Sequence, residues 1–509
     1  TKTVNKMLLD LFLLTVFLSF VVPQKVTDFT RGTMFEKCNS VMVDKVFFNV
    51  TCKCGDTPTE LQPMDVRVGI PGYTVPKNIW SLEWVGCGDK TSFFISLYSG
   101  DFALSSARYL KIKNFGFLSF YRTVDVQNLD HPLQEIYIED GYLFELPELT
   151  FYSMKDLKVM RFHNLGIRII NSRAFDTISS ISTLQITKCS INEIRKDAFH
   201  KIGRIDYFLI RDTSINSLYS GSIVSNPWEL TPQKVCKIND QTVKASPVWE
   251  FRRNNIEEIQ RHGIAARGIG KLVFEENRVN HLYENGLAIN INNPSCTELS
   301  ISIKKNNFIN LETNALSALN TSFDGALPGV TRNFNFSGNV VENAKLNSIL
   351  LPKDFVLVDG SYNFFPCHCM HGAHEWFVPL ASKTSSFPIQ DKEFYAALFY
   401  GGYCYADRQK SEVLWEKWIQ YLETKSPMDT VFIKKLSDKE QANSCGYSVD
   451  DIVSPPTPST TAPPKMTTFM PHTAASTNRT SQGIKFISDN ILNVLSISIS
   501  ALTVWCKQI

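Results

Sequence analysis

The sequence predicts a solenoid of stacked repeats, and an internal period is the main reason. Apolar residues fall at the first, fourth, sixth and eleventh places of segments that each begin 24 residues after the last: 133–143, 157–167, 181–191 and 205–215. A second marker keeps this register, because Phe151, Phe175 and Phe199 are also 24 residues apart. One such unit cannot bury its apolar side alone, so the units must stack on one another.

The ninth place of each segment indicates how the repeats turn. Places four and six alternate and point inward from a short strand. Place nine then falls in a bend, where an asparagine can hydrogen-bond backbone groups that the turn leaves unpaired. The first four copies carry Gly141, Leu165, Cys189 and Thr213 at this place, and we expect Cys189 to be a buried thiol. Later copies carry asparagine there: Asn254, Asn277, Asn306, Asn339 and Asn363.

The repeats are expected to span residues 105–365, in about nine or ten copies. An earlier copy is predicted at Leu110, Ile112, Phe115 and Phe117, and residues 224–245 interrupt the period. A parallel β-helix is the competing architecture. It is disfavoured because its turns lack the combined leucine and asparagine pattern.

This pattern resembles the leucine-rich repeat, L-x-x-L-x-L-x-x-N/C-x-L, and with its flanks the resemblance covers about residues 36–446. It implies an α/β solenoid, curved as a horseshoe. Short parallel strands would line the concave face, irregular segments the convex face, and disulfide caps would close both ends.

Cysteines flank the repeats as in extracellular members of that family. Cys38, Cys52, Cys54 and Cys87 lie in the expected N-terminal cap (25–104), and Cys367, Cys369, Cys404 and Cys445 in the C-terminal cap (366–447). The resemblance implies the pairs Cys367–Cys404 and Cys369–Cys445. It leaves open whether Cys38 pairs with Cys52 or with Cys54. Cys236 and Cys296 are a further candidate pair.

A zinc site is the alternative for the C-terminal cysteines, because His368, His371 and His374 crowd them. The apparent secretory signal favours disulfides instead, so no metal and no cofactor is expected.

Both termini resemble processing signals. Residues 1–24 contain an apolar run from Met7 to Pro23 that predicts a signal peptide, with extra residues before Met7. Residues 448–483 are a Pro/Thr/Ser-rich stalk, and residues 484–509 end in a short apolar run. That run favours a glycosylphosphatidylinositol-anchor signal; a single membrane span and a secreted tail are the alternatives. We therefore expect an extracellular protein held at the outer leaflet of the plasma membrane. The glycosylation sequons are Asn49, Asn320, Asn335 and Asn478.

The expected function is non-enzymatic binding of a protein ligand or a cell-surface co-receptor. No motif of a hydrolase, a metalloprotease or a nucleotide-binding enzyme occurs in the sequence. With 52 basic and 50 acidic residues, the charge balance gives no reason to expect nucleic acid. A secreted non-catalytic scaffold subunit or matrix component is the alternative.

The concave sheet is the expected ligand face, because places two, three, five, seven and eight point outward there. Tyrosine and arginine, which are frequent in binding hot spots, recur at these places. The candidates are Tyr137, Arg161, His163, Lys188, Tyr207, Arg211, Arg252 and Arg253.

Overall fold

The structure is a computed structural model, and it describes a large part of the first of two compact units, residues 1–457. The described residues are 38–43, 47–53, 64–68, 79–95, 97, 107–121, 132–225, 247–290, 298–316, 319, 331–345, 348–349, 356–366, 398, 400–405, 411–424, 433–436 and 439. Several predictions lie outside them: the signal peptide, the stalk, the tail, and the residues Cys54, Cys236, Cys296, Cys367, Cys369, Cys445, Asn320 and Asn478.

The described chain is almost entirely strand. The N-terminal strands are β1 (Cys38–Val43), β2 (Phe47–Lys53), β3 (Met64–Val68), β4 (Ile79–Ile95), β5 (Tyr109–Phe120), β6 (Glu135–Leu146), β7 (Phe151–Tyr152) and β8 (Asp156–Ile170). The central strands are β9 (Phe175–Asp176), β10 (Ser180–Thr187), β11 (Ser190–Ile194), β12 (Phe199–Ile202), β13 (Arg204–Arg211), β14 (Ser214–Leu218), β15 (Ile223–Ser225), β16 (Val248–Arg252), β17 (Asn255–Ile259), β18 (Ile264–Arg267), β19 (Lys271–Glu275), β20 (Arg278–Leu282) and β21 (Leu287–Asn290). The C-terminal elements are β22 (Glu298–Lys304), β23 (Asn307–Leu311), β24 (Thr331–Ser337), β25 (Val340–Ala344), β26 (Val356–Asp359), β27 (Phe364–Pro366), β28 (Tyr403–Tyr405), α1 (Ser411–Thr424) and β29 (Ile433–Lys435).

The strands form three parallel ladders, which we name A, B and C. Ladder A joins β2, β4, β5, β6, β8, β10, β13, β16, β19, β22, β24 and β26. Ladder B joins β3, the C-terminal halves of β4, β5, β6 and β8, and then β11, β14, β17, β20, β23, β25, β27 and β28. Ladder C joins β7, β9, β12, β15, β18 and β21. The described part of the chain is therefore a parallel β-solenoid.

The predicted period sets the register of these ladders. Ile181 lies between Leu157 and Ile205, each 24 residues away, at the first place of its repeat. Side chains at places four and six, such as Leu184 and Ile186, are at most 1% exposed because they alternate inward from the strands. The repeat prediction is confirmed by this pairing.

The phenylalanine marker forms a stack inside the coil. The ring centroids of Phe151 and Phe175 lie 5.0 Å apart, and those of Phe175 and Phe199 lie 4.3 Å apart. All three side chains are buried. Their strands are ladder C, which occupies a part of each repeat that was expected to be irregular.

Three further features differ from the prediction. The described repeats contain no helix, so their α/β character is not confirmed. In the copy that contains Leu110, Leu118 is buried instead of Phe117, because the pairing register shifts between Phe115 and Leu118. Ladder A also continues N-terminal to residue 105, through β4 to β2.

A ladder of side-chain hydrogen bonds runs through place nine. Asn277 donates from Nδ2 to the carbonyl of Phe251 at 2.9 Å and to Oδ1 of Asn306 at 3.1 Å. Its own Oδ1 accepts the backbone N–H of Asn254 at 3.0 Å. The same pattern recurs at the later asparagines, and the Oδ1 of Asn254 accepts the N–H of Thr213. The prediction that these asparagines satisfy backbone groups in the bend is confirmed.

Cys189 occupies the same place in an earlier repeat. Its thiol is buried and free. Burial raises the pKa of this thiol to about 11, although nearby backbone groups oppose the shift. The prediction of a buried thiol is confirmed.

Antiparallel strands lie at both ends of the described sheet. β1 pairs with β2, and a disulfide joins Cys38 to Cys52 across that pair. At the other end β28 pairs with β29. Of the two partners left open for Cys38, the structure has Cys52. Cys87 and Cys404 are also disulfide-bonded, with partners outside the described residues.

Candidate binding surface

The outward side chains of ladder A, together with the bend that follows, form a polar surface that we name face A. Side chains at places three, five and seven form three columns across the strands of this face. The columns arise because each place of the repeat aligns with the same place in the next strand. Tyr137 lies beside Arg161 at place five, and Arg211 lies beside Arg252 at place seven. The eight predicted ligand-face residues all lie on face A.

Place eight adds a fourth column with unusual backbone geometry. Lys188, Asp212 and Arg253 occupy it in successive repeats, with φ of 54°, 54° and 53°. This is the left-handed region, which residues other than glycine, asparagine and aspartate rarely adopt. Lys188 and Arg253 are exposed at this bend.

Carboxylates hold the arginines of the central repeats. Arg252 donates to Glu250 at 3.3 Å and to Glu275 at 2.9 Å. Arg253 donates to both oxygens of Asp212, at 2.6 and 3.2 Å. The Nε of Arg211 lies 3.4 Å from the same carboxylate. The hydrogen bond from Arg253 is the main reason that the pKa of Asp212 is lowered.

The tyrosines and His163 are also held by neighbours. Tyr207 donates its hydroxyl to Glu250 at 3.3 Å, and Tyr137 donates to Glu135 at 3.1 Å. Burial, followed by these carboxylates, raises the pKa of both phenols. His163 Nδ1 lies 2.8 Å from the hydroxyl of Thr187.

Arg161 has a looser contact, since its Nε lies 3.6 Å from Glu139 and makes no hydrogen bond to any residue that the structure describes.

The predicted ligand face left out the acidic side chains of this surface, which the sequence suggested only as solvated positions. Glu139, Glu250 and Glu275 fall at outward places five and seven in the same register as the arginines, so the alternation could have identified them. It also missed Tyr109, whose ring lies 5.3 Å from that of Tyr137. Outward position does not guarantee exposure, because Leu209 and Val273 at place five are 6% and 1% exposed.

Two sequons lie at opposite ends of face A. Asn49 pairs in register with Ser81 next to the first strands of ladder A, and Asn335 lies at place five of β24. Both side chains are partly exposed. Glycans at these positions would border the central repeats, where the arginines lie.

No group of three or more metal-ligating side chains comes together within the described ranges. In the same part of the chain, no helix is both long and apolar enough to cross a membrane. Comparison of the sequence with protein-family models and with curated proteins finds no match.

Proposed function

We propose that this chain is an extracellular protein of the leucine-rich-repeat type that binds a protein ligand or co-receptor through face A. The observation that carries the proposal is the arginine cluster of the central repeats. Arg211 and Arg252 stand on adjacent strands of a continuous parallel ladder, and Arg253 follows in the bend. Asp212, Glu250 and Glu275 fix their guanidinium groups.

Such an arrangement favours recognition because these arginine side chains have little conformational freedom left to lose when a partner binds. An arginine that is already oriented by a carboxylate costs less conformational entropy when it binds than a free one. Its remaining N–H groups can still donate to a partner, because a guanidinium has five. The neighbouring Tyr207 adds a partly exposed aromatic ring of the type enriched in hot spots.

The place-nine asparagines support the repeat-family part of the proposal. Their hydrogen bonds give the N of L-x-x-L-x-L-x-x-N a physical role in this chain. The Cys38–Cys52 disulfide supports an oxidising compartment, since such bonds rarely persist in the cytosol. The terminal signals and the cysteine caps belong to the same proposal, as does attachment by a lipid anchor.

The test uses the purified full chain as a fluorescent probe on intact cells, with bound partners identified by cross-linking. The double variant Arg211→Ala and Arg252→Ala should weaken binding at least about 10-fold, as expected for two hot-spot arginines. The matched control, Arg168→Ala with Arg195→Ala, removes one arginine on ladder B and one directly after its strand β11. Equal loss in both variants, or loss in the control alone, contradicts the use of face A. Capture of matrix components and no cell-surface protein would favour the scaffold alternative.

A further inference from the structure

A groove of about 310 Å³ crosses the N-terminal strands of face A. Its walls come from places two and three of adjacent repeats and include Trp80, Arg108, Tyr109, Gln134 and Glu135, and Asn49 stands at one end. Neighbouring strands are about 4.8 Å apart, so a groove whose lining runs from β2 to Lys158 of β8 is roughly 19 Å long. It is an elongated site and not a hole for a single small group.

The lining of the groove has the chemistry that binds sugar rings. Trp80 is 40% exposed, and its ring packs 5.6 Å from that of Phe47, which holds the indole in place. An exposed indole offers a flat apolar surface to the C–H face of a pyranose. Gln134, Glu135 and Arg108 supply donors and acceptors for hydroxyl groups. Arg108 is fixed by a 2.8 Å hydrogen bond to the carbonyl of Pro132.

A peptide strand is less well matched to this groove. The strands beneath it are paired within ladder A, so they offer an extended peptide no open edge.

Asn49, at one end of the groove, belongs to an N-glycosylation sequon. In the sequon Asn49-Val50-Thr51, Val50 is buried, so Asn49 and Thr51 lie on the same side of β2. The Oδ1 of Asn49 accepts a hydrogen bond from the hydroxyl of Ser81 at 2.9 Å. The side chain makes no other hydrogen bond to the described residues, so its Nδ2, the atom that carries an N-linked glycan, is available.

We propose that Asn49 is glycosylated and that the groove seats the first sugars of its own glycan, with the first N-acetylglucosamine against Trp80. In the modification, Nδ2 bonds to the anomeric carbon of a lipid-linked oligosaccharide, loses a proton and displaces the lipid diphosphate. This inference rests on the proposed function only in requiring passage through the secretory pathway. It needs no partner protein.

The experiment compares variants of the full chain that are expressed in animal cells and purified from them. Thr51→Ala removes the sequon, and Thr51→Ser keeps it as the matched control. Trp80→Ala removes the indole, and Tyr121→Ala removes an aromatic residue of similar exposure that does not line the groove. Mass spectrometry measures glycan occupancy at Asn49 and at Asn335. Thermal unfolding and the rate of native endoglycosidase cleavage measure the seating.

The expected result is an occupied Asn49 whose glycan is cleaved at least about 10-fold more slowly from native than from denatured chain. Thr51→Ala should lower Tm by about 2 °C, a shift typical of losing one modest interaction. Trp80→Ala should lower Tm by more, because it also removes the contact with Phe47. Combining the two should lower Tm no further than Trp80→Ala alone, because both remove the same sugar contact. Thr51→Ser should behave as wild type, and the Tyr121→Ala effect should add to that of Thr51→Ala.

Three outcomes would overturn the inference. If the Asn49 peptide is unmodified and the Asn335 peptide is glycosylated, the proposed glycan on Asn49 does not exist, and the proposed function is unaffected. If both peptides are unmodified, the expected passage through the secretory pathway is contradicted as well. If Asn49 carries a glycan that is cleaved rapidly from the native chain, and the Tm shifts of Thr51→Ala and Trp80→Ala add, then the groove does not bind that glycan. In the first case, saturable binding of diacetylchitobiose, followed by Trp80-dependent fluorescence, would assign the groove to a free glycan instead.

Discussion

At the scale of single residues, place nine decides how one coil is joined to the next. An asparagine there donates to a backbone carbonyl of the preceding coil and accepts from its neighbour's backbone N–H. Thr213 makes fewer such bonds because its hydroxyl has a single hydrogen: Oγ1 accepts the N–H of Cys189 at 3.3 Å and donates to the carbonyl of Arg211 at 3.0 Å. The thiol of Cys189 is only a weak donor and acceptor. The coils around residues 254–363 are therefore better tied than the earlier ones.

Asn277→Ala should lower the free energy of unfolding by roughly 2–4 kcal/mol, because it strands the carbonyl of Phe251 and the N–H of Asn254 in a buried bend. Urea titration followed by circular dichroism measures the loss. Asn192→Ala is the control: its side chain accepts a bond from Asn216 on an exposed surface, and the change should stay within about 0.5 kcal/mol. Similar losses in the two variants would show that the buried ladder has no special role.

The raised pKa of the Cys189 thiol predicts that the stability of the fold falls at alkaline pH. Burial raises its pKa from 9.0 to about 11, so the folded state keeps a proton that the unfolded state releases near pH 9. Its contribution is fully present below pH 9 and is lost as the pH rises toward 11. Between pH 8 and pH 10, wild type should lose about 1 kcal/mol more than Cys189→Ala in urea titrations. Parallel losses in both chains would contradict this.

Substitutions of Lys188 test how strongly the left-handed backbone at place eight restricts the choice of residue. A β-branched residue disfavours φ near 54°, so Lys188→Val should cost about 1–2 kcal/mol, whereas Lys188→Gly should be neutral or stabilising. Ser182→Val, at an exposed strand position, is the matched control and should change stability by less than about 0.5 kcal/mol. Thermal unfolding of the four chains gives the comparison. If Val is tolerated equally at both positions, backbone strain does not limit place eight.

At the scale of elements, the sequence predicted ladder A well and ladder C poorly, for a physical reason. Places four and six alternate over enough residues to identify a strand. Strands such as β9 have only two residues, so no alternation can appear, although Phe175 marked their position. The arginines of face A were also predicted. Their carboxylate partners were not, because Glu250 and Arg252 meet Glu275 only when β16 and β19 pair.

The helix α1 was not predicted, and it packs on ladder B near the C-terminal end. Trp415 donates from Nε1 to the carbonyl of Lys305 at 2.9 Å and packs against the cluster of Val340, Phe364 and Tyr405. The helix therefore covers apolar side chains on the outward side of this ladder, which would otherwise contact water.

Trp415 both donates a hydrogen bond and packs on apolar side chains, so two substitutions should lower the free energy of unfolding by different amounts. Trp415→Phe keeps a ring but loses the hydrogen bond, and should cost about 0.5–1.5 kcal/mol. Trp415→Ala should cost about 2 kcal/mol more, because it also uncovers the apolar cluster. Val413→Ala, on the same helix but 46% exposed, should be nearly neutral. Chemical denaturation ranks the three variants, and equal stability of the Phe and Ala chains would mean that the packing contributes nothing.

At the scale of the whole molecule, a solenoid joins distant parts only through the coils between them. In ladder A, β5 pairs with β4 and β6, and β16 pairs with β13 and β19. Stability in such an array is close to a sum of coil and neighbour contributions, so a local change should loosen a local region. This local character allows one surface segment, such as the arginine cluster, to stay rigid while a terminus opens.

Removing the Cys38–Cys52 disulfide tests this locality. The bond closes a loop with a sequence separation of 14 residues, and a loop of this size is worth about 3 kcal/mol. In the chain with Cys38→Ala and Cys52→Ala, amide exchange should therefore quicken in β1, β2 and β4, where the bond and its first neighbours lie. Exchange in β17 and β20 should remain as in wild type, because no coil of that region contacts the altered one. Asn277→Ala supplies the mirror control, since it should quicken exchange in the central strands and leave β2 unchanged. Hydrogen exchange read by mass spectrometry resolves both regions in one experiment. A uniform acceleration along the chain in either variant would mean that the coils unfold as one cooperative unit, and neighbour-only coupling would then be wrong.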